Sequence, residues 1–102
     1  HVSTMGALLS DGLYELSAKY GLGEVRGSGL LLAMDTGEFS AVDVVKQMFE
    51  TGALINAPRA HTLRFMPALN VQKQDVEQLL QMLEQVLIGM VDNHAGKGER
   101  YE

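Results

Sequence analysis

The sequence has 102 residues, 46% of them hydrophobic, with 13 acidic against 8 basic side chains and a net charge of −5. That is the size and apolar content of one modest domain, and its acidic balance argues against a nucleic-acid surface, which needs clustered Lys and Arg. No apolar run approaches the ~20 residues that span a bilayer, and the absence of cysteine removes disulfides, thiolate metal sites and thiol nucleophiles together.

Residues 4–20 predict an amphipathic helix, because Met5, Leu9, Leu13, Leu16 and Tyr20 recur three or four apart. Ser3 or Thr4 can cap its start and Gly21 can end it, while Gly12 weakens the pattern slightly. EVRGSGLLLAMD follows: a short extended piece, a glycine pair and an apolar run. Leu30 to Met34 is too short for a typical helix and reads as a strand, with Leu30, Leu32 and Met34 on one side and Leu31 and Ala33 on the other. A strand apolar on both faces is expected to be buried on both.

Ser40 to Gly52 predicts a second helix, with Ser40 as N-cap, Asp43 suited to the helix dipole, and Ala41, Val45, Met48 and Phe49 as the buried stripe. Ala53–Asn56 and Thr62–Met66 predict a hairpin joined by APRAH, with Leu63 and Phe65 on one face and Thr62, Arg64 and Met66 on the other. Val71 to Val91 holds the helical period through Val76, Leu79, Leu80, Leu83, Leu87, Met90 and Val91, with Asn70 a better cap than Gln72. Residues 92–102 are polar and glycine-containing, and are expected to fray.

This order predicts an α+β two-layer sandwich: a small, mostly antiparallel sheet with helices on one face. The helices can cover only that face. The other keeps leucines from the first strand together with Met66, and needs a cover from outside these residues, so the chain reads as part of something larger.

Gly27 and Gly29 lack the third glycine of a dinucleotide fingerprint and lead into a strand rather than a helix, which favours a bulge or tight bend over a phosphate cradle. Arg26 is a solvated or ion-paired arginine, or part of an interface. His1, His61 and His94 are scattered, without a carboxylate at ligand spacing, so no metal is expected, and His61 reads as solvated loop. Arg64 is the exception. It stands mid-strand between Leu63 and Phe65 and must project from the face that lacks a cover, where burial of a guanidinium is costly unless it is paired. Its planar fork suits a carboxylate held by two parallel hydrogen bonds. A structural ion pair or a solvated arginine would give the same pattern.

EVRGSGLLLAMD, then FETGALINAP, then TLRFMPALNV before an amphipathic helix, resembles the C-terminal domain of class-III pyridoxal-phosphate aminotransferases, most of all its acetylornithine-using members. The likeness runs from about Met5 to Ile88. Ser28 stands where the family commonly has a basic residue, and Pro67-Ala68 where it commonly pairs prolines. The resemblance implies that residues 1–91 are the small domain of a fold-type-I subunit, ahead of a polar tail at 92–102. It further implies a homodimer and a missing large domain that holds pyridoxal 5'-phosphate and its lysine. Lys19, Lys46, Lys73 and Lys97 do not sit in the family's cofactor-lysine context. Arg64 matches the arginine associated with the substrate α-carboxylate. No catalytic or cofactor-binding residue is expected in this chain. The implied reaction moves an amino group from N-acetylornithine to the cofactor and then to 2-oxoglutarate, in arginine biosynthesis. Neither nucleic acid nor membrane is expected as a partner, and with no basic-then-apolar signal segment the expected compartment is the cytoplasm. The rival readings are an ornithine, succinylornithine or 4-aminobutyrate aminotransferase, or a freestanding amino-acid-binding module.

Overall fold

A computed structural model of the chain describes residues 2–29, 31–50, 55–66 and 71–101, with side chains over 4–29, 31–49, 55–66 and 71–92. The elements run α1 (Val2–Tyr20), β1 (Val25–Ser28), β2 (Leu31–Asp35), α2 (Ala41–Glu50), β3 (Asn56–Arg59), β4 (Thr62–Phe65) and α3 (Lys73–Tyr101). The four strands form one antiparallel sheet in the order β1-β2-β4-β3. The α+β architecture expected from the sequence is the one found, and the short extended piece before the glycines is its fourth strand.

Register decides which side chains meet the helices. Val25 pairs with Met34 and Met34 with Leu63, while Leu32 pairs with Phe65, so these five lie on one face, and all five are buried. α1 covers that face over β1 and β2, α2 covers it over β3 and β4, and α3 packs on α1 and α2. Met5, Leu9, Leu13 and Leu16 of α1 are buried as the period required. Gly12, a weak point in the helical pattern, is where Leu80 of α3 approaches α1 closely. From α3, Val76, Leu83 and Leu87 reach the core, joined by Val86.

The ends of the helices have identifiable causes. The N–H of Leu22 donates to the Ser17 carbonyl at 2.9 Å across Gly21, whose φ of 66° closes α1 in a Schellman turn. Ser40 caps α2, its Oγ accepting from the Asp43 N–H at 3.3 Å. At the start of α3 the Asp75 carboxylate accepts the Gln72 N–H at 2.9 Å, and the Asp75 N–H donates to the Gln72 carbonyl at 3.0 Å, so Gln72 holds the cap position. Asn70, the expected cap, lies outside the described residues, as do the strand start at Ala53 and the helix end at Gly52.

Four expectations need correction. In α2 the buried stripe is Ala41, Val44 and Met48, with Val45 half-buried and Phe49 66% exposed. The helix presents its Val44 side to β3 and β4, and that turns Phe49 outward. The hairpin link is Ala60-His61 rather than five residues, because Pro58 lies within β3. An edge strand tolerates a proline, since its outer N–H is not needed for the ladder. β2 is buried on one face only among the described residues: Leu31 is 58% exposed, because no layer lies on its side of the sheet. Finally, α3 continues through Tyr101, beyond the Val91 at which its apolar stripe ends.

Gly27 sits in β1 at φ 121°, and a Cβ there would run into the Leu31 carbonyl oxygen across the strand pair. Gly89, in α3, has open space around its missing Cβ. Gly27→Ala should therefore destabilise the chain by about 2 kcal/mol or more. Gly89→Ala should stabilise it by roughly 0.5–1 kcal/mol. Urea unfolding of the two variants checks the opposite signs.

Candidate functional site

With Val25, Leu32, Met34, Leu63 and Phe65 turned into the core, the strand period of two turns the residues between them to the other face. Arg26, Ala33, Arg64 and Asn56 are register partners across all four strands, and Asp35, Thr62 and Arg59 form the next row. Leu31 and Met66, both 58% exposed, stand at the opposite end of the face. Arg64 therefore projects where its position between Leu63 and Phe65 placed it.

Arg64 is half-buried, and its Nε is closed off from solvent without a hydrogen-bond partner among the described residues. Leaving a buried donor unmet costs about 1–3 kcal/mol, more when the group is charged. Of the readings open to Arg64, an internal ion pair finds no partner for it among the described residues, and full solvation conflicts with the closed-off Nε.

Arg26 does form an ion pair. Its Nη1 lies 3.0 Å from Asp35 Oδ1, and the Thr62 hydroxyl donates to the same oxygen at 3.1 Å. The hydrogen bond from Arg26 is the main cause that lowers the Asp35 pKa. Partial burial works against it, while Thr62 and the charges of Arg26 and Arg59 reinforce it. Sequence reasoning missed Asp35 and Thr62, because which residues of different strands meet is set by register, and no motif marks it. Arg26, Asp35, Arg59, Thr62 and His61 line a shallow, open cleft of about 720 Å³ that Arg64 does not border.

His61 is more than a solvated loop residue. Its Nδ1 lies 2.9 Å from the Phe39 carbonyl, which also accepts the Thr36 hydroxyl at 2.7 Å. The Thr36 N–H in turn donates to the His61 carbonyl at 2.9 Å, and the Ala41 N–H to the Ala60 carbonyl at 2.9 Å. These bonds pin the β3–β4 turn to the start of α2. No group of three or more metal-ligating side chains occurs among the described residues. Nor is any described helix long and apolar enough to cross a membrane. The glycine segment makes the β1–β2 turn, in keeping with its structural reading: Ser28 pairs with Leu31, and Gly29 has φ 58°.

The aminotransferase class-III family model matches residues 1–87. The chain belongs to the class-III aminotransferase family. It is 43% identical over 89 residues to an acetylornithine aminotransferase of Ralstonia nicotianae, covering 84% of this chain and 22% of that protein. It is 46% identical over 82 residues to acetylornithine aminotransferase 2 of Bordetella parapertussis, covering 78% of this chain and 21% of that one. The chain thus spans about a fifth of the length of these relatives. Among solved structures, N-acetylornithine aminotransferase from Stenotrophomonas maltophilia superposes with a TM-score of 0.81 at 26% identity, over 90% of this chain and 26% of that one. The ornithine delta-aminotransferase of Plasmodium falciparum shares the fold, with a TM-score of 0.81 at 23% identity over 90% of this chain and 25% of the other.

Because the folded Asp35 carboxyl titrates below its ordinary value of 3.8, its pairing stabilises the chain above that value, and the contribution is lost as pH falls through the depressed one. The pair is more than a third exposed, so solvent screening keeps it below about 1 kcal/mol. Asp35→Asn should be slightly less stable than the parent at pH 7, and the difference should begin to shrink below pH 3.8 and close only below the depressed folded value. Paired thermal melts across that range measure it.

Proposed function

We propose that residues 1–91 are the small domain of a pyridoxal-phosphate-dependent aminotransferase that uses N-acetylornithine and 2-oxoglutarate in arginine biosynthesis, with Arg64 binding the substrate carboxylate and residues 92–102 a tail beyond the domain. The observation that carries the role of Arg64 is its closed-off, unpartnered Nε on the uncovered face. A guanidinium held that way is short of one acceptor, and an amino acid or oxo acid brings a carboxylate whose two oxygens match the fork. The choice of donor follows the names of the relatives.

Pyridoxal phosphate would supply such an enzyme with an electron sink at the substrate carbon that bears the transferred amine. The described lysines do not fit as its anchor. Lys19 is ion-paired to Glu84 at 2.7 Å, an interaction that raises its pKa and keeps it protonated, and Lys46 and Lys73 stand exposed on the helices. In this reading the cofactor and its lysine belong to the large domain, in the four-fifths of the relatives' length that the chain does not span. The subunit works as a cytoplasmic homodimer, without nucleic acid or membrane as partner. What the small domain contributes is orientation: it holds the carboxylate in one pose while the carbon bearing the amine or keto group reacts elsewhere.

In the complete enzyme, Arg64→Met should lower kcat/KM for both the amino donor and the oxo acid by roughly 10²–10³-fold, the loss of a charged, bidentate contact. An amine lacking the α-carboxylate should be used equally well by the variant and the parent. Steady-state kinetics with the three substrates tests this, and unchanged constants for both acids would remove Arg64 from the site.

A further inference from the structure

The uncovered face offers one carboxylate to three arginines, Arg26, Arg59 and Arg64. Arg26 on β1 and Arg64 on β4 both stand opposite Ala33, one on each side, and Ala33 puts only a methyl group between them. Asp35 is the next residue of β2 on that face, and so a diagonal neighbour of both, within the reach of long side chains. It is the one acidic residue in the four strands.

The competition is resolved entirely to one side. Asp35 Oδ1 takes Arg26 Nη1 at 3.0 Å and the Thr62 hydroxyl at 3.1 Å, whereas the Nε of Arg64 has no acceptor among the described residues. Thr62 is two residues from Arg64 on the same strand and is itself buried, so it holds the carboxylate over its own row rather than over that of Arg64. Without Arg26, Asp35 would be left with Arg59, which already acts on it from its own row, and with the bare guanidinium of Arg64 on the diagonal. Glu24, exposed and lining the same cleft, would repel it from the β1 side. A tethered carboxylate competes at high effective concentration, so an incoming acid would have to displace it.

We infer that Arg26, assisted by Thr62, is a positioning residue that holds Asp35 away from Arg64 and so keeps the Arg64 guanidinium open to the carboxylate of an amino or oxo acid. This rests on the reading of Arg64 as the carboxylate site. Arg26 touches no substrate in this scheme; it acts by occupying the internal competitor.

The test is a double-mutant cycle in the complete enzyme, with KM and kcat measured for amino donor and oxo acid. Arg26→Met should raise KM for both by about tenfold with little change in kcat, the order of coupling expected of neighbouring charges. Asp35→Asn should leave KM within about twofold of the parent, because an amide is no rival for the guanidinium. The double variant R26M/D35N should return KM to near the parent value. If the bridge were only a scaffold between β1 and β2, D35N would be as harmful as R26M and the double variant no better, and the inference would fall. An R26M enzyme with unchanged KM would overturn it as well. Should R26M not fold, Thr62→Val frees Asp35 from its second tether and should raise KM in the same sense by a smaller factor, again rescued by D35N; no rise would count against the inference. Arg64→Met separates the two levels. If it leaves both KM values alone, the carboxylate site itself is wrong; if it raises them and the R26M effect is not rescued, only the shielding is.

Discussion

Arg26, Asp35, Thr62 and Arg64 stand on the uncovered face because neighbours along their strands are in the core. Two strands set this parity. In β2, Leu32 and Met34 face the helices, and in β4 Leu63 and Phe65 do, all four within a few percent of complete burial. Each such side chain contributes about 1.5–3 kcal/mol when taken out of water. A slip of one residue in either strand would exchange them for Ala33 and Asp35, or for Thr62 and Arg64. It would forfeit the apolar burial and bury a charge in the same step. The register is therefore strongly specified by the core, and the positions of Arg26, Asp35, Thr62 and Arg64 follow from it.

The face so produced runs against the charge of the whole chain. The sequence carries a net charge of −5, and exposed acids such as Asp11, Glu15, Asp43 and Glu77 lie on the helices. The strands hold three arginines, Arg26, Arg59 and Arg64, against the single Asp35. A local excess of cation on an acidic molecule is an arrangement that attracts small anions to one side of the sheet. It also makes the allocation of that one carboxylate consequential, since the arginine that takes it is withdrawn from anything outside.

The apolar stripes of the first and last helices, the parity of the strands and the outward projection of Arg64 were all legible in the sequence, because each depends only on local period. What required the fold was of another kind. Phe49 and Val44 both satisfy a helical stripe around Met48, and only the way α2 lies on β3 and β4 selects Val44. Pro58 looks like a loop residue until β3 is known to be an edge strand. Asp35 closes an apolar run and reads as punctuation, because its partners lie 9 and 27 residues away along the chain. His61 is similar: its Nδ1 meets a carbonyl 22 residues distant. Pairings at that separation are properties of register and turn geometry, on which composition and period are silent.

Leu31 and Met66 connect the apolar and ionic halves of the uncovered face. They stand just beyond the Leu32–Phe65 pair, and Arg64 lies two residues from Met66 on the side facing the same way. Any layer packed against these two side chains would also displace water from around the guanidinium. An ion pair there would then act in a medium of lower effective dielectric, where it is several times stronger than in water. Arg64 already has one nitrogen shut off, so the further desolvation cost of forming the pair is reduced, and the unmet donor supplies part of the driving force. Burial of the apolar pair and capture of a carboxylate would thus reinforce each other. A face that looks unfinished by the measure of its leucine and methionine is unfinished in the same place by the measure of its hydrogen bonds.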